Sequence, residues 1–301
     1  MGKHFGRLPV HVGHFDLAAL SHCSRSNWGG GFRLGLFLAT RAQCPCGGSS
    51  GEYKSNLLHG INTSIISPRR WGKSSLVEKV MMEINEKEKN TKTIVIDLFA
   101  TSTEEEFFEM FAREVIKASS SGVQEWLNNG KEFLQKLNPK ITVGVNPKVD
   151  FSVSFDWQEL RKNSDEVLNL PEVIAKKKGI KFIICLDEFQ NLSNYSDYEL
   201  LEKRMRAIWQ RQKSVTYCLY GSKRHMMTDI FNNPAKPFYR FGDIMLLQKI
   251  ETKKWVSFIC KSFAATDKQI DEKTAGIIPL VMKNHSWYEQ QMAHYAWNVT
   301  H

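Results

Sequence analysis

The residues Ser67-Pro68-Arg69-Arg70-Trp71-Gly72-Lys73-Ser74-Ser75 constrain this chain more than any other stretch. They follow a short apolar run ending at Ile65 and Ile66 and open an amphipathic run carrying Leu76, Val77, Val80, Met81 and Ile84. Strand, tight loop and helix is the order that a phosphate-binding loop requires. Several backbone N–H groups converge in such a loop, and the helix N-terminus adds the positive end of its dipole. The spacing lets Lys73 act as a point charge on β- and γ-phosphates, and the Ser74 hydroxyl ligate Mg²⁺. The strict pattern is G-x-x-x-x-G-K-[ST], and Ser67 stands where its first glycine would be. A Gly-Lys-Ser tripeptide also occurs in ordinary exposed turns, so a second signal has to decide.

That signal lies roughly a hundred residues further on, at Lys181-Phe182-Ile183-Ile184-Cys185-Leu186-Asp187-Glu188-Phe189-Gln190. An apolar run ending in two acids describes a buried strand that delivers carboxylates to its C-terminal edge, where open α/β sheets bind ligands. Alone it reads equally as a strand followed by a capping Asp. Combined with the loop, and separated from it by the apolar strand Lys92–Leu98, it becomes specific. Asp187 is then expected to hold Mg²⁺ through its water shell, and Glu188 to orient and deprotonate an attacking water. A further strand, Val215–Tyr220, ends in Gly221-Ser222. Ser222 would sense the γ-phosphate or the water there, or simply stabilise a turn.

The remaining text frames this pair. Residues 1 to about 52 hold Gly29-Gly30-Gly31, four His and three Cys with no sustained period, and their spacings match no usual zinc pattern. They are expected to be poorly ordered or not the native start of the domain. Ile61–Ile66 reads as the strand before the loop. Ser102-Thr103-Glu104-Glu105 signals a helix start, with Glu104, Glu105 and Glu106 as first-turn carboxylates. Residues 123–137 look helical. Ile141–Val145 and Phe151–Phe155 alternate with period two around Asn146-Pro147-Lys148, a hairpin insertion at about 139–156. Helices are expected from Asn169-Leu170-Pro171 and over Tyr198–Gln212, and a last strand over Ile244–Leu247. From Glu251 the pattern is helical only.

Composition excludes little. The 301 residues are 42% hydrophobic and 24% charged, enough for one substantial core and a smaller appendage. A net charge of +9 permits contact with nucleic acid, although interspersed acids fit a solvated surface better. No apolar run reaches the ~18 residues of a membrane span, and no clean signal segment opens the chain. Cys185, Cys218 and Cys260 sit singly in apolar segments, as reduced thiols of a cytoplasmic protein would.

The run Ser67–Leu76, the segment Leu186–Gln190, Tyr220-Gly221-Ser222 and Pro237–Arg240 together resemble the archaeal-type ATPase family, in the AAA+/STAND branch of the P-loop NTPases. The resemblance covers residues 53–301. It implies an α/β fold: a parallel five-stranded sheet with helices on both faces over 53–250, the small hairpin insertion, and a truncated helical lid over 251–301. It also implies ATP and Mg²⁺ as cofactors. Ser67, Pro68, Arg69, Arg70, Trp71, Gly72, Lys73, Ser74 and Ser75 would bind the nucleotide, with Ser74 and Asp187 at the metal. Glu188 would act as base and Ser222 as sensor. Arg240 falls where such proteins carry an arginine finger that acts on a neighbouring copy, which implies a homo-oligomer. Asn284-His285-Ser286-Trp287 resembles a lid motif that often has Pro at the Ser286 position. Two departures stand out: residues 1–52 lack the segment that packs on adenine, and the C-terminal region looks cut short. A shifted reading frame, a chimaera or a misassigned start would account for the first. The expected function is an ATPase that works as a conformational switch. The alternative is a non-hydrolysing nucleotide-dependent scaffold or a nucleic-acid-associated switch, with a protein or DNA partner and no membrane.

Overall fold

Short apolar runs become the sheet because strands buried on both faces need no polar alternation. Strands β1 (Thr63–Ile66), β2 (Thr91–Asp97), β5 (Lys181–Asp187), β6 (Val215–Gly221) and β7 (Asp243–Leu246) pair in parallel in the order β2-β5-β6-β1-β7. Strand β3 (Lys140–Val143) pairs antiparallel with β4 (Phe151–Ser154), placing Ile141 opposite Val153, and forms the expected hairpin. The computed structural model describes residues 47–300 apart from 123–124, 126–127, 130–131, 135–136, 138 and 144–150. The disorder expected of the N-terminal segment, its His and Cys up to residue 46, the hairpin's turn and part of the 123–137 helix lie outside the described residues.

Helices cover both faces of the sheet, and the period-two alternation of the strands shows how. Phe182, Ile184 and Leu186 of β5 join one buried cluster with Phe107, Phe108 and Phe111 of α3 (Glu104–Ala118) and Leu168 and Ile174 of α4 (Trp157–Lys178). Cys185, between them in sequence, faces the other way. Its Sγ lies 3.8 Å from the Tyr53 hydroxyl of α1 (Gly47–Leu58) and 3.6 Å from Met81 Sδ of α2 (Lys73–Lys87). Helix α1 therefore packs on the sheet ahead of the loop, and the division drawn at residue 52 falls inside it. Beside α3 and α4, Trp209 of α5 (Tyr198–Trp209) stacks on Tyr217 at 4.0 Å between ring centroids, with Phe238 and Phe241 against it.

Three expected boundaries shift. The first and last strands are Thr63–Ile66 and Asp243–Leu246, and α5 stops at Trp209. The largest correction concerns α4, which begins at Trp157 and not at Asn169. Asp156 caps it by accepting from the Gln158 and Glu159 N–H groups, a stronger start signal than Pro171. The helix bends at Asn163 and carries Pro171 inside, where burial of Leu168, Leu170 and Ile174 offsets the lost hydrogen bond. At α3 the capping expectation holds one residue later: Thr103 accepts from Glu106 N, and Glu106 accepts from Ser102 N. After α6 (Arg224–Asn232) and β7, the chain finishes in α7 (Thr252–Ala264), α8 (Glu272–Met282) and α9 (Ser286–Val299).

Candidate nucleotide site

Strand β1 ends at Ile66 and α2 begins at Lys73, so six residues make the connection. Gly72 adopts φ 94°, which glycine takes without steric cost, and Arg70 adopts φ 65° in the same left-handed region. Ser67 does not have a positive φ, so a side chain at the pattern's first glycine introduces no backbone strain. The Ser67 hydroxyl and carbonyl instead accept from Lys73 Nζ at 3.4 and 2.9 Å, and the Pro68 carbonyl accepts from it at 3.1 Å. Burial pulls the Lys73 ammonium below the usual lysine value, with Glu188 and Asp187 opposing the shift. Gly72 offers no side-chain cap, and among the described residues no backbone N–H from Arg69 to Ser75 donates to a protein acceptor. The loop thus presents unspent donors, a lysine and a helix N-terminus together, the chemistry that suits a polyphosphate.

The carboxylates arrive from β5. Asp187 is its last residue and pairs in register with Asp97 of β2. The Ser74 hydroxyl at the start of α2 donates to Asp187 Oδ2 at 3.1 Å, so the two expected metal ligands already touch. One hydroxyl and one carboxylate suit Mg²⁺, which is usually held by few protein oxygens and keeps several waters. Burial pushes the Asp187 carboxyl up to about 6; the Glu188 charge adds to this, while the Glu188 N–H and Ser74 oppose it. A bound cation would reverse that shift.

Glu188 turns into the left-handed region (φ 50°) directly after the strand. Its Oε2 accepts from Ser222 N at 3.2 Å, from Ser222 Oγ at 2.8 Å and from Gln190 Nε2. Arg69 Nε donates to the same Ser222 Oγ at 3.2 Å, linking the loop to the carboxylate. Burial would raise the Glu188 carboxyl, but these donors and the Lys73 charge outweigh it and hold the group below its usual value.

Lys73, Ser74, Asp187, Glu188 and Ser222 are therefore brought to one edge of the sheet, with Ser67, Pro68, Arg69 and Gly72 around them. Arg240 is exposed at φ 50°, its guanidinium 5.1 Å from the Tyr239 ring, and is not part of this hydrogen-bonded set. The described residues add contacts that no local sequence pattern announces. Ser286, at the start of α9, donates to the Trp71 carbonyl at 3.3 Å, and Arg70 lies over the Trp287 ring at 4.3 Å. Lys249 approaches the Trp71 ring at 5.7 Å. Gln190 closes the segment Leu186–Gln190, and its place two residues after an acid is the signal that the sequence offers for this contact.

No known protein family and no curated protein matches the sequence. Among solved structures, a Walker-type ATPase of Pyrococcus abyssi matches with a TM-score of 0.55 and 19% identity, over 80% of this chain and 64% of that one. The chain thus spans just under two thirds of that protein's length. The Aeropyrum pernix ORC2 protein in its ADP form scores 0.48 at 12% identity over 84% of this chain and 60% of that one. The Thermotoga maritima RuvB Holliday junction branch migration motor scores 0.44 at 12% identity, covering 82% and 60%. With its sheet order and loop-to-helix entry, the chain shares the α/β fold of the Pyrococcus abyssi Walker-type ATPase, a parallel five-stranded sheet with helices on both faces.

Proposed function

We propose that this chain binds Mg-ATP and hydrolyses it, as a member of the STAND branch of AAA+ proteins, using the cycle as a conformational switch. One observation carries the reading: the Ser74–Asp187 contact and the unspent loop donors lie beside Lys73 and Glu188 at one sheet edge. Lys73 would leave the Ser67 and Pro68 carbonyls for the β- and γ-phosphates, while the N–H groups from Arg69 to Ser75 hold the chain of phosphates. When bound, Mg²⁺ neutralises charge on the phosphate oxygens, and Ser74 and Asp187 would hold it. Glu188 would orient a water and take its proton, with Ser222 beside it. Arg240, exposed and ahead of β7, is free to reach a neighbouring copy. We assign the protein to the cytoplasm, where thiols such as the buried, free Cys185 and Cys218 stay reduced. The charge of +9 leaves a protein or DNA partner open to direct test.

A second reading, nucleotide binding without turnover, draws support from Glu188 Oε2, which three donors already occupy. Mg-dependent ATP binding and phosphate release separate the two. Lys73→Ala should abolish binding. Glu188→Gln should bind ATP like the parent protein and lose turnover by at least about a hundredfold. Parent-level turnover in Glu188→Gln would contradict the role given to Glu188, and binding with no turnover in the parent protein would establish the second reading.

A further inference from the structure

Gln190 is only 1% exposed, yet its amide is half paired. Nε2 donates to Glu188 Oε2, while Oε1 has no hydrogen-bond partner. A buried amide with one end unpaired is a poor way to fill a core, where an apolar residue of similar volume packs without that loss. Its orientation has one evident cause: a carboxylate only accepts, so the NH₂ must face Glu188. Oε1 is left against the backbone of β6 at Gly221, and glycine there is a matter of space. A Cβ on Gly221 would stand 1.9 Å from Gln190 Oε1 and 2.7 Å from Met227 Sδ, and this glycine's φ is not in the positive region.

We propose that Gln190 is a positioning residue: wedged under Gly221, its amide pins the Glu188 carboxylate onto Ser222. The inference rests on reading Glu188 as the group that activates water, and it adds the pair that sets where that carboxylate points. Three donors on one oxygen, two from Ser222 and one from Gln190, fix both the place and the rotation of the carboxylate. Arg69 on Ser222 Oγ ties the arrangement to the loop. Shortening or displacing the Gln190 side chain would leave Ser222 as the only anchor, and a reacting group held 1 Å out of place is costly.

Two variants test this from opposite sides. Gln190→Met keeps the chain length and removes the donor, while Gly221→Ala leaves the amide intact and takes its space. Each should lower kcat by roughly tenfold or more with KM for Mg-ATP changed less than about twofold. The double variant should be no worse than the poorer single one, since both release the same contact. Unchanged kcat in Gln190→Met, or losses that multiply in the double variant, would overturn the proposal. A readout independent of turnover is the Gln190 side-chain amide resonance, assigned by its disappearance in Gln190→Met. It should move when Glu188 is replaced by Ala, and a resonance that stays in place would also overturn the proposal. Glu188→Gln with full turnover removes the role of Glu188 alone; the amide resonance still decides whether Gln190 holds that side chain.

Discussion

Arg70 carries a contradiction that its own backbone exposes. A side chain in the left-handed region costs roughly 1–2 kcal/mol, yet this one stands at φ 65° in a loop where glycine would be free of that cost. Its return is the stack on Trp287, worth about 0.5–1 kcal/mol at an exposed site. The cost is at least as large as the return, so stability alone does not select arginine here. The difference is measurable. Arg70→Ala keeps the strain and loses the stack, and should destabilise by about 1 kcal/mol. Arg70→Gly loses the stack and the strain together and should lie close to the parent protein. Denaturant midpoints of the two variants check this, and equal midpoints would show that the loop relaxes when the guanidinium is gone.

At the scale of elements, α9 is joined to the phosphate loop by Ser286 on the Trp71 carbonyl and Trp287 under Arg70. Removing the ring by Trp287→Ala should raise amide exchange in the first turn of α9 and in residues 69–72, while the core of α2 stays protected. Exchange that rises equally across α2 would mean that the ring supports the whole site. The expected helical segment was legible here because its apolar residues recur at helical spacing, but its docking was not, since the Ser286–Trp71 bond joins residues 215 apart. The same distinction runs through the molecule. Asp187 and Glu188 were readable at a strand tip because both signals are local. The Gln190–Gly221 packing was not, because a glycine required for space looks like a glycine required for a turn. At helix α4 the local signal misleads, because Pro171 carries a start signal in sequence whereas the cap that starts the helix is Asp156.

For the molecule as a whole, carboxylates on opposite sides of their ordinary value set how stability follows pH. Glu125 is held down to about 2 by Lys178 and by the Ser121 N–H and hydroxyl, so its contribution is complete above about 4.5 and is lost as pH falls toward 2. Glu289 in α9 is fully buried with neither carboxylate oxygen hydrogen-bonded, and burial pushes it up to about 7, opposed only by the nearby Asn284 N–H. Burial likewise pushes Glu202 in α5 up to about 7, with Lys236 opposing and Glu199 and Asp229 adding to the shift. For these two the folded protein binds the proton more tightly than the unfolded chain. Their contribution is therefore complete below about 4.5 and is lost as pH rises through 7. Among these three groups the slopes oppose, and their joint contribution is largest at about pH 4.5. Replacing Glu289 by Gln removes a charge that must otherwise be buried at neutral pH. It should stabilise the protein by roughly 1–3 kcal/mol at pH 8 and change it little at pH 5. Denaturant unfolding of both proteins across pH 4–8 measures the difference, and a gap that does not widen with pH would show that Glu289 finds water or a partner for its charge.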